Sequence, residues 1–194
     1  MFLECGARVA VNGSTSESTA KAIDELGAGD RLVSAPGSVG RVEDCRRIVD
    51  AAVEGLGGLD ILINNAGVGD DTPLGSTTEE VWDKTIDVNL KGVFFMSQFA
   101  APHLKEAQGC IVNFSSVFGL VGTPGASVYG ASKAGVANLT KAHALDLPML
   151  PIYKQDHSRE HSRDPPSPKR TKPGQAKKRD TVIYLTLICR SDCR

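Results

Sequence analysis

The chain has 194 residues, 41% of them hydrophobic and 23% charged, and its formal net charge is −1, which is typical of one globular domain. No apolar run approaches the about 18 residues that a membrane span needs, and the start, MFLECGARVAV, lacks the features of a signal peptide. The five cysteines follow no zinc or disulfide pattern, so we interpret them as reduced thiols of a cytoplasmic protein without a metal.

Strand-like and helix-like segments alternate along the chain as far as Leu147. Short apolar runs predict strands at residues 7–11, 31–35 and 110–116, and a strand that runs into a tight turn at residues 60–67. Helical spacing of apolar residues predicts helices at residues 14–26, 43–56 and 77–104, and one more that contains Tyr129. The third helix is expected to begin at a capping box formed by Thr77 and Glu80. This alternation predicts an α/β fold, a doubly wound parallel sheet with helices on both faces.

The composition of the chain changes near Pro151. Residues 1–153 carry 11 basic and 18 acidic side chains, whereas residues 154–194 carry 11 basic and 5 acidic ones. We therefore predict an α/β domain over residues 1–150 and a low-complexity basic tail over residues 151–194, disordered from Lys154 to Asp180. Within that tail TVIYLTLI, residues 181–188, is typical of a strand. We expect it to pair with an exposed edge of the sheet or to fill a vacant central position.

Two further features of the tail have a functional and a structural interpretation. His157 and His161 have the spacing of a metal-binding pair on a helix. The basic clusters at residues 169–170 and 177–179 could bind nucleic acid or act as a nuclear address. In a proline-rich polar segment we favour solvated side chains in both cases, and we expect neither a metal nor a nucleic-acid partner.

Polar motifs follow the predicted strands. The turn NNAG, residues 64–67, follows the third strand, Ser116 ends the fourth, and Tyr129 and Lys133 begin the next helix. Ligands of open parallel sheets bind beyond the carboxyl ends of the strands. Tyr129 and Lys133 are four residues apart, so they share one face of their helix. These motifs predict a ligand site at that edge of the sheet, with Asn89 in the long helix between them.

The sequence resembles the short-chain dehydrogenase/reductase family in the motifs NNAG, DVNLKG, IVNFSS and YGASKAG, which occur here in the family's order. The spacings from Ser116 to Tyr129 and from Tyr129 to Lys133 are those of the family. The resemblance covers residues 3–147 and is nearest to 3-oxoacyl-carrier-protein reductases and sugar dehydrogenases. It implies a Rossmann-like fold, an NAD(P) cofactor and a homo-oligomer, either a dimer or a tetramer.

The resemblance also implies a catalytic role for four residues. Tyr129 would be the general acid/base, and the positive charge of Lys133 would favour its phenolate, since free tyrosine with a pKa of about 10 is a poor base at neutral pH. Lys133 would also bind the nicotinamide ribose. Ser116 would donate a hydrogen bond to the substrate oxygen, and Asn89 would hold a water in a relay to Lys133.

The residues that would contact the cofactor, by the same resemblance, are Asn12, Asn64, Ala66, Gly67, Tyr129 and Lys133. Small residues in the NNAG turn would allow close approach of the adenosine half. After the first predicted strand the chain has Asn12, Gly13 and Ser14, without the acidic side chain that would bind a ribose 2′-hydroxyl group. We therefore favour NADP over NAD.

The chain departs from the family pattern at both ends. The turn TGxxxGIG, whose backbone N–H groups meet the cofactor pyrophosphate, and the strand before it are absent, so we expect an incomplete sheet. After Leu147, the basic tail replaces the next strand and the Pro-Gly loop beside the nicotinamide. Both departures predict a truncated or frame-shifted reading of a longer gene.

Two functions of different classes follow from these observations. The first is an NAD(P)-dependent oxidoreductase that interconverts a small ketone and a secondary alcohol, away from any membrane. The alternative is a catalytically impaired fragment of such an enzyme that retains only its association surfaces. Saturable binding of a nicotinamide cofactor distinguishes the two.

Overall fold

The computed structural model of the chain describes residues 2–69, 71–157 and 181–184, which form six strands and five α-helices. In chain order these elements are β1 (Arg8–Val11), α1 (Ser16–Leu26), β2 (Leu32–Ser34), α2 (Val42–Leu56), β3 (Ile61–Asn64), α3 (Glu79–Ile86), α4 (Gly92–Ala107), β4 (Cys110–Ser116), α5 (Ser127–Asp146), β5 (Ile152–His157) and β6 (Thr181–Tyr184). The strand and helix types predicted up to Asp146 are confirmed, with ends that shift by a few residues.

The strands pair in parallel in two groups of three, in the orders β2-β1-β6 and β3-β4-β5. Val9 of β1 lies opposite Leu32 of β2, and Ile63 of β3 lies opposite Val112 of β4. Besides pairing with β1, β6 contacts β3, so it lies between the two groups. The result is the predicted Rossmann-like α/β fold, in which the described part of the C-terminal strand takes the central position.

The main core lies between the sheet and the helices α2 and α4. Its largest members expose at most 1% of their surface and come from both layers, namely Ile48, Leu62, Met96, Leu104 and Ile111. Burial of each such side chain stabilises the fold by about 1.5–3 kcal/mol. This core fixes the strand ends that carry the polar motifs.

The helix predicted over residues 77–104 differs from the prediction at its start and in its middle. Thr78, rather than Thr77, is the cap, because Oγ1 of Thr78 accepts a hydrogen bond from N of Val81 at 3.3 Å. The Thr77 hydroxyl instead donates to the carbonyl oxygen of Thr72 at 3.4 Å, so no box with Glu80 is formed. The helix then passes through a π-helical turn, Asp87–Lys91, before α4 begins, and such turns are frequent at functional sites.

The sheet extends beyond the domain boundary that the sequence predicts at residue 150. Residues 154–157, which we expect from composition to be disordered, form the last four of the six residues of β5 and pair in parallel with β4. The backbone of a strand can pair whatever its side chains are, and Tyr153 remains 56% exposed there. A polar composition therefore does not exclude a strand at the edge of a sheet.

Some predictions lie outside the described residues. These concern His161, the basic clusters at residues 169–170 and 177–179, the disorder predicted for residues 158–180 and the second half of the strand predicted over residues 181–188. Within the described residues, no helix is long and apolar enough to cross a membrane. The same residues contain no group of three or more His, Cys, Asp or Glu side chains that could hold a metal ion.

Candidate active site

Tyr129 and Lys133 lie on one face of α5, where the sequence places them. Lys133 is 3% exposed, and its Nζ donates a hydrogen bond to the carbonyl oxygen of Phe114 at 2.8 Å. The same Nζ lies 5.7 Å from the centroid of the half-buried Tyr129 ring. One of the three ammonium N–H groups is thus used in fixing the side chain, and the other two are left for a ligand.

Burial is the dominant influence on the charge of Lys133. Removal from water disfavours the ammonium form and lowers the pKa of Lys133 to about 8. At neutral pH the side chain is still mostly protonated. The site therefore holds a positive charge, shielded from solvent, beside the ring of Tyr129.

Ser116 ends β4 on the side of α5. Its Oγ accepts a hydrogen bond from N of Phe118 at 3.2 Å, which uses a lone pair and leaves the hydroxyl hydrogen available to donate. The Phe118 ring meets the Tyr129 ring edge to face, with centroids 6.4 Å apart. Ser116 and Tyr129 are thus linked through Phe118.

Ser115 has a different task from that of its neighbour. Its hydroxyl donates to the carbonyl oxygen of Lys133 at 2.8 Å, which ties β4 to the first turns of α5. Two glycines allow the segment after β4 to lie close to α5. A Cβ at Gly119 would lie 2.8 Å from backbone N of Ala134, and a Cβ at Gly130 would lie 2.7 Å from O of Phe118. The relative position of the strand end and the helix is therefore tightly set.

The loop after β3 lies against the tyrosine and the lysine. A Cβ built on Gly67 would lie 3.4 Å from Nζ of Lys133 and 3.6 Å from Oδ1 of Asn89, so Gly67 stands between these two side chains. A Cβ built on Gly69 would lie only 2.9 Å from Cδ2 of Tyr129. Because Gly67 and Gly69 have no side chain, the loop can approach the lysine and the tyrosine closely.

Asn89 is completely buried in the π-helical turn, and its side chain holds the backbone of the loop after β3. Its Oδ1 accepts from N of Val68 at 2.8 Å, and its Nδ2 donates to O of Val68 at 2.8 Å and to Oγ of Ser132 at 3.1 Å. Asn89 thus lies beside Gly67 and Lys133, as its motif predicts. Its amide positions the loop, and the water relay to Lys133 stays a prediction.

The side chain of Asn64 points into the protein. Its Nδ2 donates to Oγ of Ser97 at 3.1 Å and to Oδ1 of Asn113 at 2.8 Å, and Asn113 in turn donates to Oγ1 of Thr140 at 3.1 Å. This buried chain of hydrogen bonds connects α4, β3, β4 and α5. Any contact of Asn64 with a cofactor therefore falls to its backbone.

Asn12, at the end of β1, is also turned inward. Its Nδ2 donates to the carbonyl oxygens of Ala35 and Gly37 at 2.8 and 3.0 Å, which joins the ends of β1 and β2. Its Oδ1 is buried and has no hydrogen-bond partner in the described residues. The structure thus gives the Asn12 side chain a role in holding the two strand ends together.

Ala66 lines a small apolar recess next to Gly67. The other residues of this recess come from the ends of several elements and are Val39, Asn64, Val88, Gly92, Val93 and Met96. The recess opens at the same edge of the sheet as the tyrosine and the lysine. Of the residues predicted to contact a cofactor, Asn64 and Ala66 line this recess.

Gly69 and Phe118 contribute to this site and are not among the residues predicted from the sequence. Gly69 follows NNAG by two positions, and Phe118 follows Ser116 by two, so proximity to the motifs is the signal that could have identified them. Their roles depend on contacts between segments distant in sequence, which spacing alone does not reveal.

A parallel α/β sheet with a serine, a tyrosine and a buried lysine at its carboxyl edge is typical of Rossmann-like proteins, whose dinucleotide sites lie at that edge. The family profile described as short chain dehydrogenase matches residues 1–152. The chain therefore belongs to the short-chain dehydrogenase family.

Several relatives share this match. The chain is 42% identical over 147 residues to the 3-oxoacyl-[acyl-carrier-protein] reductase FabG of Staphylococcus aureus, covering 74% of this chain and 60% of that protein. A crystal structure from Sinorhizobium meliloti, described as that of a short-chain alcohol dehydrogenase, is 42% identical, with a TM-score of 0.70 over 75% of this chain and 58% of that one. A Brucella melitensis structure, described as a glucose/ribitol dehydrogenase, is 27% identical, with a TM-score of 0.73 over 79% and 65%. The chain thus spans about three fifths of the relatives it matches.

Proposed function

We propose that the chain is an NAD(P)-dependent oxidoreductase that interconverts a small ketone and a secondary alcohol. The observation that carries this proposal is the buried Lys133 ammonium group beside the Tyr129 ring, with the Ser116 hydroxyl at the adjoining strand end. A fixed acid, a fixed cation and a fixed hydrogen-bond donor are the groups that carbonyl reduction requires.

The residues around Lys133 fit a nicotinamide cofactor. Nζ of Lys133 lies beside Gly67, and its two remaining N–H groups suit the hydroxyl groups of a ribose. The three residues that follow β1 are Asn12, Gly13 and Ser14, and none is acidic, which supports NADP over NAD.

The proposed mechanism assigns one role to each side chain. When bound, a nicotinamide cofactor supplies the hydride that reduces the carbonyl carbon. Tyr129 transfers its phenolic proton to the carbonyl oxygen, and the positive charge of Lys133 stabilises the negative charge that this leaves on Tyr129. Ser116 donates a hydrogen bond to the same carbonyl oxygen and draws electrons away from the carbon. In the reverse direction the Tyr129 phenolate accepts the proton of the alcohol.

The experiment that tests this proposal compares the purified chain with Tyr129→Phe. NADPH binding is followed by the change in its fluorescence, and turnover by its oxidation in the presence of a panel of small ketones and a 3-oxoacyl thioester. We expect Tyr129→Phe to bind NADPH as the unchanged chain does and to lose about 10²–10⁴-fold in kcat, the usual contribution of a general acid.

Tyr153→Phe is the matched control, since Tyr153 lies on β5 and is 56% exposed. It should retain both binding and turnover. Loss of turnover in Tyr153→Phe to the same extent would remove the special role of Tyr129. If the unchanged chain shows no saturable binding of NADPH or NADH, the proposal of an oxidoreductase is wrong.

A second candidate function is association without catalysis, which exposed apolar side chains on α3, α4 and α5 favour. Trp82 is 48% exposed, Phe94 40% and Leu145 81%. Helices of this kind pack against a second subunit in proteins that form homo-oligomers. A stable oligomer that binds neither NADPH nor NADH would identify this function in place of the first. A homo-oligomer is compatible with both candidates, and a cytoplasmic location stays a prediction.

A further inference from the structure

The two halves of the sheet meet at β6. This strand pairs in parallel with β1, from Arg8 opposite Thr181 to Val11 opposite Tyr184, and it contacts β3 on its other side. β1 pairs with β2 on its outer side, and β3 pairs with β4. Among the described residues β6 contacts β3 without a ladder of hydrogen bonds, so the strands lie in the spatial order β2-β1-β6-β3-β4-β5.

The strands on either side of β6 are buried. Val9 and Ala10 of β1 are 1% and 0% exposed, and Leu62 and Ile63 of β3 are 0% and 6% exposed. Without a strand beside it, the inner edge of β1 would leave backbone N–H and C=O groups without partners in the interior, which costs free energy for each group. The sequence TVIY of β6 is rich in β-branched and aromatic residues, as strands require.

The position of β6 is also the point at which the strand order reverses. From there the chain order proceeds outward through β1 and β2 on one side and through β3, β4 and β5 on the other. Open α/β sheets bind their ligands at this reversal, beyond the carboxyl ends of the strands. Because β6 is parallel to its neighbour, Tyr184 lies at the same edge of the sheet as Asn12.

We propose that β6 is the central strand that joins the two three-stranded groups into one sheet, and that its carboxyl end forms part of the cofactor site. The second part of this proposal rests on the proposed function. The occupant of the groove between β1 and β3 is the C-terminal strand of the same chain. The 23 residues between β5 and β6 can extend to about 75 Å, so the connection does not need a second copy.

The test is hydrogen exchange of backbone amides in the unchanged chain and in Ile183→Pro. Proline removes an N–H group and disrupts pairing in the middle of a sheet. Ala176→Pro is the matched control, because it places a proline in the same C-terminal region but before β6. We expect the amides of β1 and β3 to be protected in the unchanged chain and in Ala176→Pro, and to exchange at least about tenfold faster in Ile183→Pro.

Each outcome of this experiment decides the first part of the proposal. Faster amide exchange in Ile183→Pro supports the central position of β6, whether it is confined to β1 and β3 or extends over the whole sheet. A proline in a segment outside the fold would leave the exchange of these strands unchanged. Equal protection of β1 and β3 in Ile183→Pro and in the unchanged chain would overturn it. Protection that disappears on dilution would show that the strand comes from a second copy and would overturn the assignment to the same chain.

NADPH titration of the same three proteins tests the second part. We expect Ile183→Pro to lose saturable binding and Ala176→Pro to retain it. If Ile183→Pro loses amide protection but binds NADPH as before, the carboxyl end of β6 is not part of the cofactor site. Absence of binding in all three proteins contradicts the proposed function and with it the cofactor part, while the exchange data still decide the position of the strand.

Discussion

At the scale of single residues, the site depends on positions without a side chain as much as on those with reactive groups. The ring of Tyr129 lies against Gly69, and Nζ of Lys133 lies against Gly67. The reactive side chains are therefore positioned by the close approach of a loop. This dependence gives a test that leaves Tyr129 and Lys133 unchanged.

We expect Gly69→Ala to lower kcat, because its Cβ would lie 2.9 Å from Cδ2 of Tyr129 and would displace the ring. A misplacement of about 1 Å in a reacting group can reduce the rate by about 10²-fold. The measurement is steady-state kinetics with NADPH, together with NADPH titration, which should show unchanged binding.

Gly122→Ala is the control for this substitution. Gly122 also lies in a loop near the site, but a Cβ there would meet nothing within 4 Å. It should leave kcat unchanged. Equal rates for Gly69→Ala and the unchanged chain would show that the contact between the loop and the tyrosine does not position the ring.

At the scale of elements, the contact between α4 and α5 contains a buried titratable group. His143 of α5 is 9% exposed, and its ring lies 5.7 Å from that of Phe94 on α4. Its Nδ1 is buried and has no partner in the part of the chain that the structure describes. Burial lowers the pKa of His143 below its ordinary value of 6.5, against a smaller opposite influence of Asp146.

This histidine should make the fold sensitive to acid. Since the folded state holds His143 at a lower pKa, the unfolded chain takes up a proton first as the pH falls through 6.5, and stability decreases there. We expect His143→Leu to reduce the loss of unfolding free energy between about pH 7 and pH 5. Urea denaturation at several pH values measures the unfolding free energy. Parallel plots of this free energy against pH for the two proteins would show that another group is responsible.

The elements show what the sequence determines and what it does not. Apolar periodicity predicts β4 and the end of α2 to the residue, because both bury one face in the core. It cannot decide between Thr77 and Thr78 as the cap, since both offer a hydroxyl group. It also misses the polar half of β5, which pairs through its backbone, and the inward direction of Asn64, which depends on partners from other segments.

At the scale of the whole molecule, the exposed apolar side chains on α3, α4 and α5 predict self-association. We expect Phe94→Glu to shift the chain toward the monomer, because a carboxylate buried at an interface without a partner is costly. Analytical ultracentrifugation over a range of concentrations measures this shift. Tyr153→Phe, on β5, should leave the association state unchanged. Identical sedimentation of Phe94→Glu and the unchanged chain would exclude this face as the interface.

The central place of β6 has a consequence for the order in which the chain folds. β1 pairs with residues 173 positions later in the sequence, and these leave the ribosome well after β1 and β3. Until they emerge, the inner edges of β1 and β3 stay open, and open strand edges recruit other chains. Contacts between such distant residues also form slowly. During synthesis this protein must therefore keep two unfinished half-sheets apart from other chains until residues 181–184 emerge and pair with β1.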